Sequence, residues 1–513
     1  MTVRRVVGVE TEYGITLPSD RLADPIQLSG IVVRGYVNSA GPSAALPQGS
    51  GWDYADEAPL RDARGYEMAR ELADSSQLTD VDDPTLANSV LSNGARLYVD
   101  HAHPEYSSPE VTSPLDAVRF DRAGEVVMQR AAHASAGLLD PEGAAGEIRL
   151  YKNNVDGKGA SYGTHDNYLL DRAVPFGDVV TGLLPFLVAR PLICGAGRVG
   201  LGELSQDSGF QISARADYIE TEVGLETTLR RPLVNTRDEP HATATKFRRL
   251  HLITGDATLA DVGGLLKIGT TSLVLRLIEG GRAPAIMLRR PVQASRVISR
   301  DLSLKATVET TDGRAMSGLD ILEAYLAAAR SAYASGARGW ERDEDTDQVL
   351  DLWAELVNDL RVDPMLAADR VDWVAKLKLL QAYRDRDSLT WDDPRLALID
   401  IQYSDIDPTR GLALRMRAAG RLRSLVDQAS VNEAVTQAPT DTRAWFRGEC
   451  VRRFGDSVRA ASWDSVVFSR PSAGVSRVSL PEPLQATKAQ TEALFDGSEG
   501  IEEFLNSLKS QAR

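Results

Sequence analysis

Alternation of apolar and polar side chains marks the first element of the chain. Val6, Val7 and Val9 lead into Glu10-Thr11-Glu12-Tyr13-Gly14-Ile15, a β-rich run whose successive side chains point to opposite faces. Gly8, Glu10 and Glu12 share one face, and Val7, Val9, Thr11 and Tyr13 share the other. Two neighbouring carboxylates on one face repel unless positive charge lies between them. The apolar opposite face and a second acidic strand further on favour a metal over a wet sheet edge. That second strand is Gly94-Ala95-Arg96-Leu97-Tyr98-Val99-Asp100, with Arg96, Tyr98 and Asp100 on one face and Leu97 and Val99 behind them. The chain then turns through His101-Ala102-His103-Pro104 into Glu105-Tyr106.

Between these strands, from about Gly35 to Asp83, the periodicity dissolves into Gly, Pro, Ser and Ala. Polar islands stand at Trp52-Asp53-Tyr54 and Leu60-Arg61-Asp62-Ala63-Arg64-Gly65. Long structureless insertions in compact domains are often lids or binding loops. The alternation of aromatic and charged residues favours a lid here over a disordered insertion. Helical spacing returns from Pro114 to Leu139. Glu147 to Lys152 reads as a strand, Asn153 to Gly159 as a turn-rich loop, and His165, Asn167 and Tyr168 as the start of another strand. Phe210 to Thr221 is strand-like, and Arg248 to Ile253 is a short strand with Arg249 and His251 on one face. Helices follow at Leu319 to Ala334, Thr346 to Leu360 and Val371 to Ala382. Beyond about Pro408 a smaller appended domain is expected (408–513, after a main unit of 1–407), with a helix near Leu412 to Val426 and strands around Ser462 to Ser469.

Composition narrows the function. The 513 residues carry a formal charge of -15, with 43% hydrophobic and 26% charged residues. That is an ordinary globular balance, and its acidity argues against a general nucleic-acid binder. An acidic partner would need a local basic groove, for which Arg215, Arg230-Arg231, Arg248-Arg249 and Arg289-Arg290 are available. The two cysteines, Cys194 and Cys450, fit neither metal spacing nor a disulfide framework, which suits a reducing compartment. Val179 to Gly197 is apolar but interrupted by Pro185, Arg190 and Pro191, so it reads as a buried helix and turn, with no membrane span. Met-Thr-Val-Arg-Arg runs straight into the first strand without a signal-peptide apolar region. A cytoplasmic protein is expected.

Several strands thus present polar groups on one face. Carboxylates of this kind suit Mg²⁺, a hard cation that keeps water and phosphate ligands, and arginines beside them would neutralise phosphate. Gly195-Ala196-Gly197-Arg198-Val199-Gly200 has only the glycine spacing of a dinucleotide loop, without its acidic ribose partner, and no phosphate loop is present.

Long motifs then become recognisable. Gly8-Val9-Glu10-Thr11-Glu12-Tyr13-Gly14, Asn93 through Asp100, His103-Pro104-Glu105-Tyr106, Tyr151-Lys152-Asn153-Asn154, Asn235 through His241 and Phe247-Arg248-Arg249-Leu250-His251 resemble the family of Pup ligase and Pup deamidase/depupylase. The insertion, Asp100-His101-Ala102-His103-Pro104-Glu105 and Asn154 through Ser161 resemble the depupylase side of that family. Val9-Glu10-Thr11-Glu12 is closer to the ligase wording, and Asp166 stands where the family usually has Glu. Neither departure removes a candidate ligand.

The resemblance implies an α+β, glutamine-synthetase-like antiparallel sheet cradle packed with helices, plus a small C-terminal domain. It implies Mg²⁺ held by Glu10, Tyr98, Glu105, His165 and His251, joined by Glu12. ATP would touch Asn167, Arg249, Ser107 and Ser108, with Arg96 facing its phosphates. Trp463 takes the place of a nucleotide-contacting tryptophan, and read from its own surroundings is equally a core aromatic. Asp100 would act as nucleophile or as base toward water. The implied activity is removal of Pup, a small acidic disordered protein, from lysines of tagged proteins, and deamidation of Pup's C-terminal glutamine. ATP would be a bound cofactor, and the pathway would link to the proteasome. The competing readings are a Pup ligase consuming ATP and an inactive homologue that only holds Pup.

Overall fold

The computed structural model describes residues 2–47, 50–55, 57–73, 87–139, 146–156, 159–336, 339–470 and 474–511. Residues 74–83 of the expected insertion and Gly157-Lys158 of the turn-rich loop lie outside them.

A six-stranded, wholly antiparallel sheet forms the centre. Its order is Phe247–Leu252, Thr164–Asp171, Val7–Glu12, His103–Ser107, Arg96–Asp100 and Asn88–Val90. The alternation seen in the sequence separates its faces. Val7, Val9, Leu97, Val99, Tyr106 and Tyr168 are buried on one side, beneath helices that include Pro25–Ala40 and Pro114–Leu139. Each such side chain contributes about 1.5–3 kcal/mol by leaving water. Glycine makes the close approach possible. A Cβ on Gly124 would stand 2.4 Å from the Tyr106 ring, so Gly124→Ala is expected to destabilise the protein by about 1–3 kcal/mol, read as a lower denaturation midpoint.

The α+β, glutamine-synthetase-like expectation holds, and several boundaries move. Gly35 to Ala40 belong to the helix Pro25–Ala40, capped by Asp24 through Ile26 N (2.9 Å). Gly35 is there for contact, since a Cβ would lie 3.0 Å from the Ser135 backbone N of the crossing helix. Irregular chain therefore starts at Gly41. Phe210 to Thr221 is not one strand. It divides into Asp207–Gln211, a 3-10 turn at Ala216–Tyr218 and Thr221–Gly224. The buried Asp256 bends it by accepting from Ser213 Oγ and Ala214 N, both at 2.9 Å.

The break at 408 also moves. The helix expected near Leu412 to Val426 stops at Ala418, and Gln428–Ala434 forms a further helix. Val426, Val431, Ala434 and Val435 all join the main core. A second core is built from Phe446, Cys450, Phe454, Phe468, Phe495 and Phe504, with Leu46, Trp52 and Val90 drawn in from far upstream. Its sheet runs Gly474–Ser479, Ser465–Arg470, Val458–Ala461 and Gly51–Trp52, the last pairing parallel. The insertion thus supplies a strand to the small unit. Among the described residues, no helix is long and apolar enough to cross a membrane.

Candidate functional site

Antiparallel register assembles the polar face in rows. Glu10 stands opposite His165 on one side and Ser107 on the other, with Arg96 beyond Ser107. Glu12 faces Glu105, and Glu105 faces Tyr98. Asn167 faces both Gly8 and His251. Asp100 pairs with His103 where the hairpin turns. Two clusters result, Glu10 with His165 and His251, and Glu12 with Asp100 and Glu105, their donor atoms within 4.8 Å of one another in each.

Hydrogen bonds lock the first cluster. Asn167 Nδ2 donates to Glu10 Oε1 at 2.8 Å, and its Oδ1 meets His251 Nδ1 at 2.8 Å and accepts from Arg249 at 3.2 Å. His165 Nδ1 lies 3.3 Å from Glu10 Oε2. Burial works to raise the Glu10 carboxyl, but the His165 hydrogen bond, the nearby His251 and His165 imidazoles and the charge of Arg249 outweigh it, so Glu10 is held far below the usual carboxylate range. Burial and Arg249 push His251 well down, leaving a neutral imidazole suited to a metal.

The second cluster concentrates negative charge around Glu105. Burial, then the charges of Asp100, Glu10 and Glu12, push the Glu105 carboxyl well above its ordinary range. Glu12 meets His103 Nδ1 at 3.1 Å and accepts from Gly163 N at 2.6 Å. Among the described residues no lysine or arginine forms an ion pair with Glu12 or Glu105. Three converging carboxylates, Glu105 among them without a cationic partner, fit a hard divalent cation. Asp100 differs from its neighbours. Its side chain keeps 36% exposure, with His101 Nδ1 3.1 Å from Oδ1. Burial works against ionisation, and His101, then His165 and Arg96, overcome it and hold Asp100 below the usual range. The result is an ionised, reachable carboxylate at the open end of the face.

Ser107, Ser108, Asn167, Arg249 and Trp463 come together around a different space. They line a cleft between the sheet and the small unit, together with Glu10. Arg96 is set apart from that cleft, its guanidinium stacked between Trp52 (4.0 Å) and Tyr98 (3.8 Å). Trp463 lines the cleft and also packs on the second core.

Sequence reasoning missed other cleft residues. Glu110, His241 and Arg443 also line it. Burial, with Arg249, pushes His241 down to about 4 against the pull of Glu239. Glu239 pairs with Arg249 at 3.4 Å and accepts from Ala58 N at 2.6 Å, tying the insertion to the site. His241 and Glu239 sit in a motif already visible in the sequence, while Glu110 and Arg443 carried no signal of their own.

A second, larger groove begins beside His103, Asn153 and Tyr162 and runs past Trp391. It opens at the hairpin end of the face, beside Ala102 and His103, and is separate from the cleft.

Known proteins match this architecture. The family model for Pup-ligase protein matches residues 5–467. The chain is 50% identical over 516 residues to a Pup deamidase/depupylase of Mycobacterium tuberculosis, covering 100% of each. It is 39% identical over 415 residues to a Pup–protein ligase of Acidimicrobium ferrooxidans, covering 80% of this chain and 89% of that one. The crystal structure of Pup in complex with its ligase PafA superposes with a TM-score of 0.79 at 30% identity, covering 96% of this chain and 92% of that chain. PafA in complex with ADP gives 0.73 at 34% identity, over 80% and 89%.

Proposed function

Because this chain belongs to the Pup-ligase family, we propose that it is a Pup deamidase/depupylase, cleaving the isopeptide bond between Pup and a substrate lysine and deamidating Pup's C-terminal glutamine. The observation that carries this reading is the end-to-end likeness at 50% identity to a protein of that name, against 39% over four-fifths of the chain for a ligase. Its partners are then Pup and Pup-tagged proteins. Two buried, free cysteines support a reducing, cytoplasmic setting.

Glu10, Glu12, Tyr98, Glu105, His165 and His251 would hold magnesium, and the fit of the carboxylate clusters supports that assignment. Ser107, Ser108, Asn167, Arg249 and Trp463 would hold ATP in the cleft, a reading supported by the ADP complex of PafA. Arg96 would face the phosphates from its stack. Bound magnesium would supply positive field and polarise the scissile carbonyl. The chain itself supplies Asp100. Its carboxylate would either attack the carbonyl carbon, forming an anhydride as the C–N bond breaks and the departing nitrogen takes a proton from water, with a further water then hydrolysing the anhydride and restoring Asp100, or take a proton from a water that attacks the carbonyl directly, that proton passing to the departing nitrogen. The insertion, through Trp52 over Arg96, would position the substrate for hydrolysis.

The ligase reading has a specific observation behind it, the ligase-like wording of Val9-Glu10-Thr11-Glu12. One assay separates the two. The protein is incubated with ATP and magnesium, once with Pup ending in glutamine and once with a Pup-tagged protein. Release of ammonia and of free target without matching ATP consumption is expected. Formation of tagged protein with stoichiometric ADP would establish the ligase.

Magnesium has its own test. Glu105→Gln removes a charge that the metal-free site repels, so the variant should melt a few degrees higher without metal. It should also lose most of the rise in melting temperature that magnesium gives the wild type, because that rise tracks binding to the native state. An unchanged magnesium response would remove Glu105 from the ligand set.

A further inference from the structure

The turn carrying Trp463 is held from behind by a side chain that does not line the cleft. Arg447, on the helix Ala444–Phe454, is fully buried and uses its whole fork. Nε and Nη2 donate to the Gly94 carbonyl at 3.0 and 2.8 Å, and Nη1 donates to the Trp463 carbonyl at 2.7 Å. Nη2 also pairs with the Glu110 carboxylate. The guanidinium lies 5.0 Å from the Trp463 ring centroid.

Those acceptors belong to different parts of the molecule. Gly94 sits in the turn before the Arg96–Asp100 strand, at φ 81°, and a Cβ there would stand 2.9 Å from the Ala444 carbonyl oxygen. Arg96, two residues on, is stacked on Trp52. Trp52 in turn meets Trp463 edge-on, with ring centroids 5.3 Å apart. The contacts close a loop, from Arg447 through Gly94, Arg96 and Trp52 to Trp463 and back. Only Trp463 of these five reaches the cleft.

We propose that Arg447 and Trp52 are positioning residues for the nucleotide, setting where the Trp463 ring stands relative to the sheet face. This rests on the reading of the cleft as the nucleotide site. A planar guanidinium can serve three acceptors in fixed directions, whereas a lysine ammonium is a single point on a flexible stem. Arg447→Lys keeps the charge beside Glu110 and loses the geometry.

The experiment measures the dissociation constant of ATP with magnesium, together with KM for ATP and kcat of Pup removal. Arg447→Lys should weaken ATP about tenfold in both dissociation constant and KM, with kcat at saturating ATP within twofold of wild type. Trp463→Phe should weaken ATP binding to a similar degree. Because Arg447 acts through Trp463, the double variant should be no weaker than Trp463→Phe alone. Additive losses, or wild-type ATP affinity in Arg447→Lys, would overturn the proposal. If Arg447→Lys does not fold, Trp52→Phe tests the other side of the same loop, and an unchanged ATP affinity there would also overturn it. A wild-type protein that binds no ATP would instead refute the nucleotide reading itself.

Discussion

Asp100→Asn should lower the rate of Pup removal by at least about 10³-fold while leaving ATP affinity unchanged. The substitution keeps shape and removes the lone-pair donor or proton acceptor that either chemical route requires, and losses of this order follow removal of a group acting in the transition state. Nucleotide binding is spared because Asp100 does not line the cleft. The neighbouring residues explain why this carboxylate, of the four on the face, is the one suited to reaction. Glu10 is pinned by Asn167 and His165, Glu12 by Gly163 and His103, and Glu105 is raised and enclosed. Asp100 alone combines exposure with a pKa held below the usual carboxylate range. Hydroxylamine distinguishes its two roles. It intercepts an anhydride formed on Asp100 and gives a hydroxamate, whereas the water route yields none. Full activity in Asp100→Asn would exclude both.

The second large effect concerns stability. Glu110→Gln should cost about 3–5 kcal/mol, the usual consequence of deleting one partner of a buried ion pair. Glu110 accepts from Arg443 Nε at 2.8 Å and pairs with Arg447, and both arginines are almost wholly enclosed, at 3% and 0% side-chain exposure. Neutralising Glu110 leaves two guanidinium groups between the sheet and the small unit without their counter-charge. Burial works to raise the Glu110 carboxyl, but Arg447 and Arg443 lower it to about 2 from an ordinary 4.5. A depressed carboxylate stabilises the fold fully above its unfolded value and loses that contribution as pH falls toward its folded one. Wild type should therefore shed about 3 kcal/mol between roughly pH 5 and 2 from this group. Glu110→Gln should lack that part of the pH dependence. Urea midpoints measured across that window would show the two curves converging at low pH, and parallel curves would contradict the assignment.

Much of the polar face is legible in the sequence because period-two alternation is local. Glu10 with Glu12, Arg96 with Asp100, and His165 with Asn167 each follow from neighbours two residues apart. Which strands lie side by side does not follow from alternation, and came instead from motifs long enough to identify a family. The misplaced boundaries share a cause. Gly35 looked like a helix breaker because its packing partner, Ser135, is a hundred residues away in sequence. Val426 through Val435 looked like a new unit because nothing local shows that they bury against the main core. Glu110 and Arg443 had no visible role until the small unit folded against the sheet. Contacts made at long range are where reading along the chain runs out.

The parallel pairing of Gly51–Trp52 with Val458–Ala461 has a consequence for how the molecule is made. Ser50 Oγ meets the Val458 carbonyl across 408 positions of chain, so this edge strand leaves the ribosome long before its neighbour exists. Synthesis at about 5–20 residues per second leaves it waiting for some tens of seconds. Closing so long a loop adds little entropy beyond a shorter one, but it cannot begin until nearly all of the polypeptide is out. The clasp between Gly51–Trp52 and Val458–Ala461 is then a late event in maturation, and a chain cut short before Val458 is expected to present Trp52 to solvent and to proteases.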